Sequence, residues 1–246
     1  MTPTTREQTL CGLRAVQAAL HKRGDRVQRL YYAAEHRQML QPMLATLAAR
    51  RAIFRELPGA ELDKVAGTRA HQGLVVVLDA PEIKHLSRED VTAAAKRPGV
   101  TLLLDGVGNP HNLGAIARSA AFFGVRGLWL TAEGVETVRS SAACRVAEGG
   151  LEYLPVAAAH DAEAVVRAFV QAGGHALALA VRGDRTLAEL AGLQQHAVLL
   201  VLGSEENGLN PAVEAACSLR LRIDGTDAVE SLNVSVAAGI ALAALR

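Results

Sequence analysis

The sequence predicts an α/β protein built on a mainly parallel sheet, and three observations predict it. Half of the 246 residues are hydrophobic but only 3% are aromatic, so the core must come from Ala and Leu, which favour helices, and Val, which favours strands. From Val100 onward, short unbroken apolar runs alternate with helical patterns, as in a sheet covered on both faces. Residues 1–80 repeat the alternation on a smaller scale and read as a separate small α/β unit.

In the front unit, Leu13, Val16 and Leu20 share a helical face, and Lys22 and Arg23 close that helix. Residues 27–32 are strand-like, and Met39, Met43, Leu44 and Leu47 mark a second helix. Residues 53–57 and 74–78 read as short strands bounded by Pro58-Gly59 and Gly73. The polar stretch 81–99 reads as a linker with a short helix, and Pro98-Gly99 is the clearest boundary on the chain. In the back unit, 100–246, strands are expected at 101–104, 128–131, 153–156, 176–180, 198–202 and 219–223. Helices are expected at 113–123, 161–172 and 211–216, with a last one at 232–245. That last helix is rich in Ala, Gly and Ser; its small residues suit a core helix and a dimer interface equally.

The net charge is +1, but residues 1–100 hold 16 Lys and Arg against 10 Asp and Glu, while the remainder holds 10 against 15. A basic front half suits phosphate contacts, and an unevenly solvated surface would give the same count. Cys11, Cys144 and Cys217 are too far apart for a CxxC or Cys/His set, so neither a disulfide framework nor a metal site is expected. The polar start, residues 1–8, lacks an apolar signal core, and no run is long enough to span a bilayer. A cytoplasmic protein with no membrane partner is the expectation.

Three segments follow strands and carry polar groups, where ligands of α/β sheets collect. The first is Asp105-Gly106-Val107-Gly108-Asn109-Pro110-His111-Asn112-Leu113-Gly114, running on to Arg118. A dinucleotide fingerprint would need a third glycine where His111 stands, so a nicotinamide site is set aside. Asn112 reads as the cap of a helix starting at Leu113, and a lone Arg118 could equally be an ordinary exposed helical arginine. The second is Gly203-Ser204-Glu205-Glu206-Asn207-Gly208, which lacks the Lys-Ser/Thr pair of a phosphate loop. The third, residues 223–235, contains Ser231-Leu232-Asn233-Val234-Ser235, in which Ser231 or Asn233 can cap the last helix.

Together these segments resemble the SpoU/TrmH family of RNA ribose methyltransferases. Asn112-Leu113-Gly114 with Arg118-Ser119-Ala120, Leu202-Gly203-Ser204-Glu205 with Gly208-Leu209, and Ser231-Leu232-Asn233-Val234-Ser235-Val236-Ala237 look like its three motifs, in the family's order. The likeness covers 100–246. A looser one covers 10–80, where Gly12-Leu13-Arg14-Ala15-Val16 and His71-Gln72-Gly73-Leu74 resemble the RNA-recognition domain of the ribosomal-RNA branch.

The resemblance implies a C-terminal trefoil knot, a homodimer through the C-terminal domain and S-adenosylmethionine as cofactor. It implies methylation of a ribose 2′-hydroxyl, expected in 23S ribosomal RNA. A transfer-RNA substrate, or a catalytically silent RNA-binding or ribosome-assembly protein, are the alternatives. By the same likeness, Gly203, Ile223, Ser231, Leu232 and Asn233 would bind the cofactor, Arg118, Asn112 and Glu205 would be catalytic, and Arg14, His71, Gln72 and Arg118 would meet RNA. A guanidinium stays charged, so Arg118 is expected to hold a phosphate and stabilise an alkoxide rather than act as a base. Two positions depart from the family pattern: Asp224 stands where Pro is common, and Glu148 where a small residue is common.

Overall fold

The computed structural model describes residues 7–189, 193–226 and 228–246. Most of the polar start, residues 1–6, lies outside them. The front unit comprises β1 (Glu7–Cys11), α1 (Leu13–Arg23), β2 (Val27–Tyr32), α2 (Arg37–Ala49), β3 (Ile53–Glu56), α3 (Gly59–Ala66) and β4 (Leu74–Asp79). Its sheet runs β1-β4-β2-β3, with β4 antiparallel to both neighbours and β2 parallel to β3. Helices α1 and α2 pack Val16, Leu20, Leu40, Leu44 and Leu47 over Leu30 and Val76, while Leu62 of α3 covers Val75 and Cys11 on the other face. Both faces of β4 are therefore buried, which explains its unbroken run of Leu and Val.

The remainder comprises β5 (Lys84–His85), α4 (Arg88–Ala94), β6 (Gly99–Leu104), α5 (Pro110–Phe122), β7 (Leu128–Leu130), α6 (Ala132–Val138), α7 (Ser141–Val146), β8 (Val156–Ala158), α8 (Ala162–Gln171), β9 (His175–Leu179), β10 (Arg185–Thr186), β11 (Ala197–Leu202), α9 (Pro211–Ala216), β12 (Leu219–Arg222) and α10 (Val234–Ala244). The sheet order is β10-β12-β9-β11-β6-β7-β8-β5, and every pairing is parallel. Successive residues of β6 serve opposite faces. Leu102 and Leu104 join Leu113, Ile116 and Ala117 of α5 and Ala238 and Leu242 of α10. Leu103 joins Trp129 and Phe169, whose rings meet edge to face at 6.1 Å.

The structure corrects several boundaries. Within 81–99, the expected short helix is α4, but the stretch also contributes β5 to the edge of the large sheet, and Val91 and Ala95 enter the core. The strand expected at 153–156 is instead β8, preceded by a 3-10 turn at Gly150–Tyr153. Packing dictates that turn: a Cβ on Gly150 would press on the backbone of Ala117 and Arg118 in α5. Helix α5 begins at Pro110 with Asn109 as its cap, not at Leu113 with Asn112. Proline's missing N–H costs nothing in the first turn, and the Asn109 side chain accepts from the N–H groups of His111 and Asn112.

The two sheets share packing. Cys144 of α7 lies in the front unit's core, and Gln8 donates to the Arg139 carbonyl at 3.0 Å. Arg23 at the end of α1 pairs with Glu152 at 2.5 Å, with side chains only 11% and 9% exposed.

Candidate functional site

Strands β6 and β11 lie side by side, but the chain runs from β6 to β7 on one flank and from β11 to β12, beyond β9, on the other. The strand order switches direction at this pair, the position where α/β sheets place a crevice at the carboxyl edge. Asp105 ties the loops together: its N–H donates to the Leu202 carbonyl at 2.8 Å, and its carboxylate accepts from the Asn210 N–H at 3.1 Å. The Ser204 and Gly208 backbones exchange hydrogen bonds at 3.0 Å and close the 203–208 turn. Gly203 is buried there, and a Cβ on it would collide with the Gly208–Leu209 backbone. The space left by Gly203 thus first serves the loop's own closure.

Three expected site residues converge at this crevice. Asn112 Nδ2 donates to Glu205 Oε2 at 2.5 Å, and Asn233 Nδ2 donates to Glu205 Oε1 at 2.5 Å and to Asn112 Oδ1 at 3.0 Å. Asn112 is only 8% exposed, and its side chain is available because Asn109 does the capping. Asn233 has two tasks. Its Oδ1 caps α10 by accepting from the Ser235 N–H at 2.9 Å and the Ser235 hydroxyl at 2.6 Å, while its amide nitrogen joins the cluster. Of the two possible caps, the chain uses Asn233, and Ser231 is left exposed.

Arg118 stands apart from this cluster. Six residues along α5 from Asn112, it is about 9 Å further up the axis and roughly 240° around it. Its guanidinium pairs with Glu148 at 3.0 Å, with side chains 58% and 45% exposed. The other departure from the family pattern, Asp224, is taken by Arg222 at 2.9 Å. After β12, Ile223 is half-buried, whereas Val229 and Leu232 are 71% and 45% exposed. These apolar groups line the segment that ends at the Asn233 cap.

The front-unit residues divide. Arg14 is exposed on α1. His71 is 8% exposed and both its ring nitrogens are engaged: Nε2 with Asp63 at 2.9 Å, and Nδ1 as acceptor of the Gly73 N–H at 2.9 Å. The His71 ring thus helps to hold the front unit together. Gln72 Oε1 accepts from the Leu13 N–H at 2.8 Å, so it caps α1, for which Gly12 has no side chain. Arg145, which is not among the expected site residues, lays its stem over Gly12 beside Gln72.

The cluster can donate to and accept from a polar ligand, the uncovered apolar groups can take a flat ring, and the exposed guanidinium can take an oxyanion. Comparison with known proteins agrees with that repertoire. Residues 99–243 match the model of the SpoU rRNA Methylase family, and residues 9–84 match that of RNA 2′-O ribose methyltransferase substrate binding. A relative from Escherichia coli O157:H7, named as the uncharacterised tRNA/rRNA methyltransferase YfiF, is 31% identical over 239 residues, covering 96% of this chain and 67% of its own. An uncharacterised tRNA/rRNA methyltransferase from Mycobacterium sp. (strain KMS) is 36% identical over 191 residues; the match covers 76% of this chain and 59% of that protein. This chain thus spans less than two thirds of the mycobacterial relative. An AdoMet-bound rRNA methyltransferase from Sinorhizobium meliloti shares the fold, with a TM-score of 0.81 at 24% identity over 98% of this chain and 87% of that one.

Proposed function

We propose that this chain, which belongs to the SpoU rRNA methylase family, transfers a methyl group from S-adenosylmethionine to a ribose 2′-hydroxyl of RNA. The observation that carries the reading is the convergence of Asn112, Glu205 and Asn233, which lie 93 and 28 positions apart in the chain, on one crevice.

The residues present suit the cofactor. Ile223, Val229 and Leu232 offer apolar surface for an adenine, and the amide–carboxylate cluster offers both donors and acceptors to an amino acid moiety. Gly203, Ile223, Ser231, Leu232 and Asn233 would hold it. When bound, it supplies a methyl already activated on a sulfonium. The chain's own task is then to align a 2′-oxygen and to steady the charge that grows on it. Arg118 does this as a permanent cation that holds a neighbouring phosphate and the developing alkoxide; its guanidinium is a poor proton acceptor. Asn112 and Glu205 fix the crevice wall on the same helix and facing loop.

The match of residues 9–84 to a substrate-binding module supports an RNA substrate, and ribosomal RNA is the reading taken from the likeness of that front unit to the ribosomal-RNA branch. Val236 and Ile240 on α10 and Phe122 on α5 are 50%, 39% and 75% exposed, which supports a homodimer formed through these helices. The family's trefoil knot would be made by the segment after β12. Among the described residues no helix is long and apolar enough to cross a membrane.

Ribose methylation mapped on cellular RNA, with and without the gene, tests this reading. Loss of one 23S site is expected. Loss at a transfer-RNA position would move the target, and no change anywhere, together with no calorimetric binding of S-adenosylmethionine, would favour a silent RNA-binding protein.

A further inference from the structure

The Glu148 carboxylate is held opposite Arg118 by a backbone that an ordinary residue avoids. Its φ is 45°, in the left-handed region, and Gly149 follows at 86°. Such a conformation is unfavourable for a side-chain-bearing residue and needs surroundings that enforce it. Those surroundings are present. Gly149 is wedged against Ala18 and the Arg14 carbonyl of α1, and Gly150 against the α5 backbone at Ala117 and Arg118. The turn is clamped between the two units, with its carboxylate on the guanidinium.

Beside this turn a cleft of about 380 Å³ opens between the units. Gly12, Arg14 and Gln72 line it from the front, and Arg145 and Glu148 from the back. Among the described residues, Arg14 and Arg145 have neither an ion pair nor a side-chain hydrogen bond. Two unpaired cations therefore face a cavity whose nearest carboxylate, Glu148, is already committed to Arg118. The cavity has the volume of an ordinary ligand pocket, and an unpaired pair of guanidinium groups recognises successive phosphates of a nucleic-acid backbone.

Building on the proposed methyl transfer, we propose that single-stranded RNA enters through this cleft, its phosphates taken by Arg14 and Arg145, and that Glu148 is a built-in competitor which a substrate phosphate displaces from Arg118. The Arg118–Glu148 pair is exposed on both sides, so exchange with an incoming phosphate is inexpensive. Arg145 is a binding residue for RNA, and Glu148 a specificity residue that weakens RNA lacking a correctly placed phosphate.

The test is binding of a short oligouridylate to the full chain across a salt series, run beside KM and kcat for methylation of ribosomal RNA. Glu148→Gln and Glu148→Ala should each tighten oligouridylate binding and lower the KM for RNA by about two- to five-fold, the range an exposed ion pair can contribute. Arg145→Ala and Arg14→Ala should each reduce the slope of log affinity against log salt by about 0.7. Unchanged or weaker binding in both Glu148 variants, with kcat collapsing instead, would make Glu148 a mere orienter of Arg118 and overturn the proposal. Unchanged salt slopes in the arginine variants would overturn the cleft. The binding arm needs no methyl transfer. If the wild type methylates RNA but these shifts are absent, only this inference fails; if the shifts appear without methylation of any RNA, the transfer reading fails and the cleft stands.

Discussion

Two Arg–Glu pairs sit four residues apart on one turn and differ in almost everything except chemistry. Arg23–Glu152 is nearly sealed, 2.5 Å long, and also takes in Gln8 and the Asp79 carbonyl. Arg118–Glu148 is 3.0 Å long and open to solvent on both sides. A sealed pair cannot exchange partners, because removing either side chain strands a buried charge. An open pair exchanges readily and contributes little to stability. The same turn thus fastens the front unit to the large sheet with one carboxylate and presents a replaceable partner to Arg118 with another. Burial thus decides whether an ion pair is locked into the fold or open to exchange.

Glu152→Ala should destabilise the fold by about 3–5 kcal/mol, because Arg23 is left buried without its partner. Urea unfolding measures this, and a loss below 1 kcal/mol would remove the sealed half of the contrast. Arg118→Ala should cost methyl transfer about 10²–10³-fold, as loss of an oxyanion donor does, while calorimetry gives nearly unchanged affinity for S-adenosylmethionine. Full turnover in that variant would remove its functional role. Asn233→Ala should lose about 1 kcal/mol with the α10 cap. Asn233→Asp should keep the cap, yet lower the melting temperature and weaken cofactor binding, because it loses both amide donor bonds and sets its carboxylate against that of Glu205. An unchanged melting temperature and cofactor affinity in Asn233→Asp would mean that the amide nitrogen plays no part in the cluster. Glu148→Ala should change stability by less than about 1 kcal/mol. The smallest effect is on a thiol: burial pushes Cys144 up to about 12, as it does Cys217. Both therefore remain protonated thiols below about pH 10, and iodoacetamide at pH 8 should label Cys144 only after unfolding, as mass spectrometry would show.

Much of the fold was legible in the sequence because its main strands are unbroken apolar runs and its longer helices carry clear periodicity. Residues 27–32, 74–78 and 198–202 fall where the chain forms β2, β4 and β11. What escaped was short or set by packing. β5 and β10 have two residues each, too few to show a period. α7 has six, and its place depends on Gly114, where a Cβ would press on the Ala143 carbonyl and Val146. The site was legible as three motifs, but not in its division. Asn112 stands at cap spacing before an apolar run, but Asn109 caps the helix, and the His71 ring is engaged within the front unit, which its spacing alone does not show. Glu148 stood out as a departure from pattern, but its meeting with Arg118 depends on a left-handed turn packed between two units, which no local spacing encodes. Arg145 gave no distinguishing signal, since a basic residue late in a short helix has many uses.

The central claim is methyl transfer to a ribose oxygen, and the most direct measurement is the chemical identity of the product. Ribosomal RNA incubated with the protein and labelled S-adenosylmethionine is hydrolysed in alkali, which cannot cleave beside a 2′-O-methyl group. The account predicts label in an alkali-resistant dinucleotide, absent with Arg118→Ala. Label released as a base-methylated mononucleotide, or no label in any RNA despite cofactor binding, would contradict it.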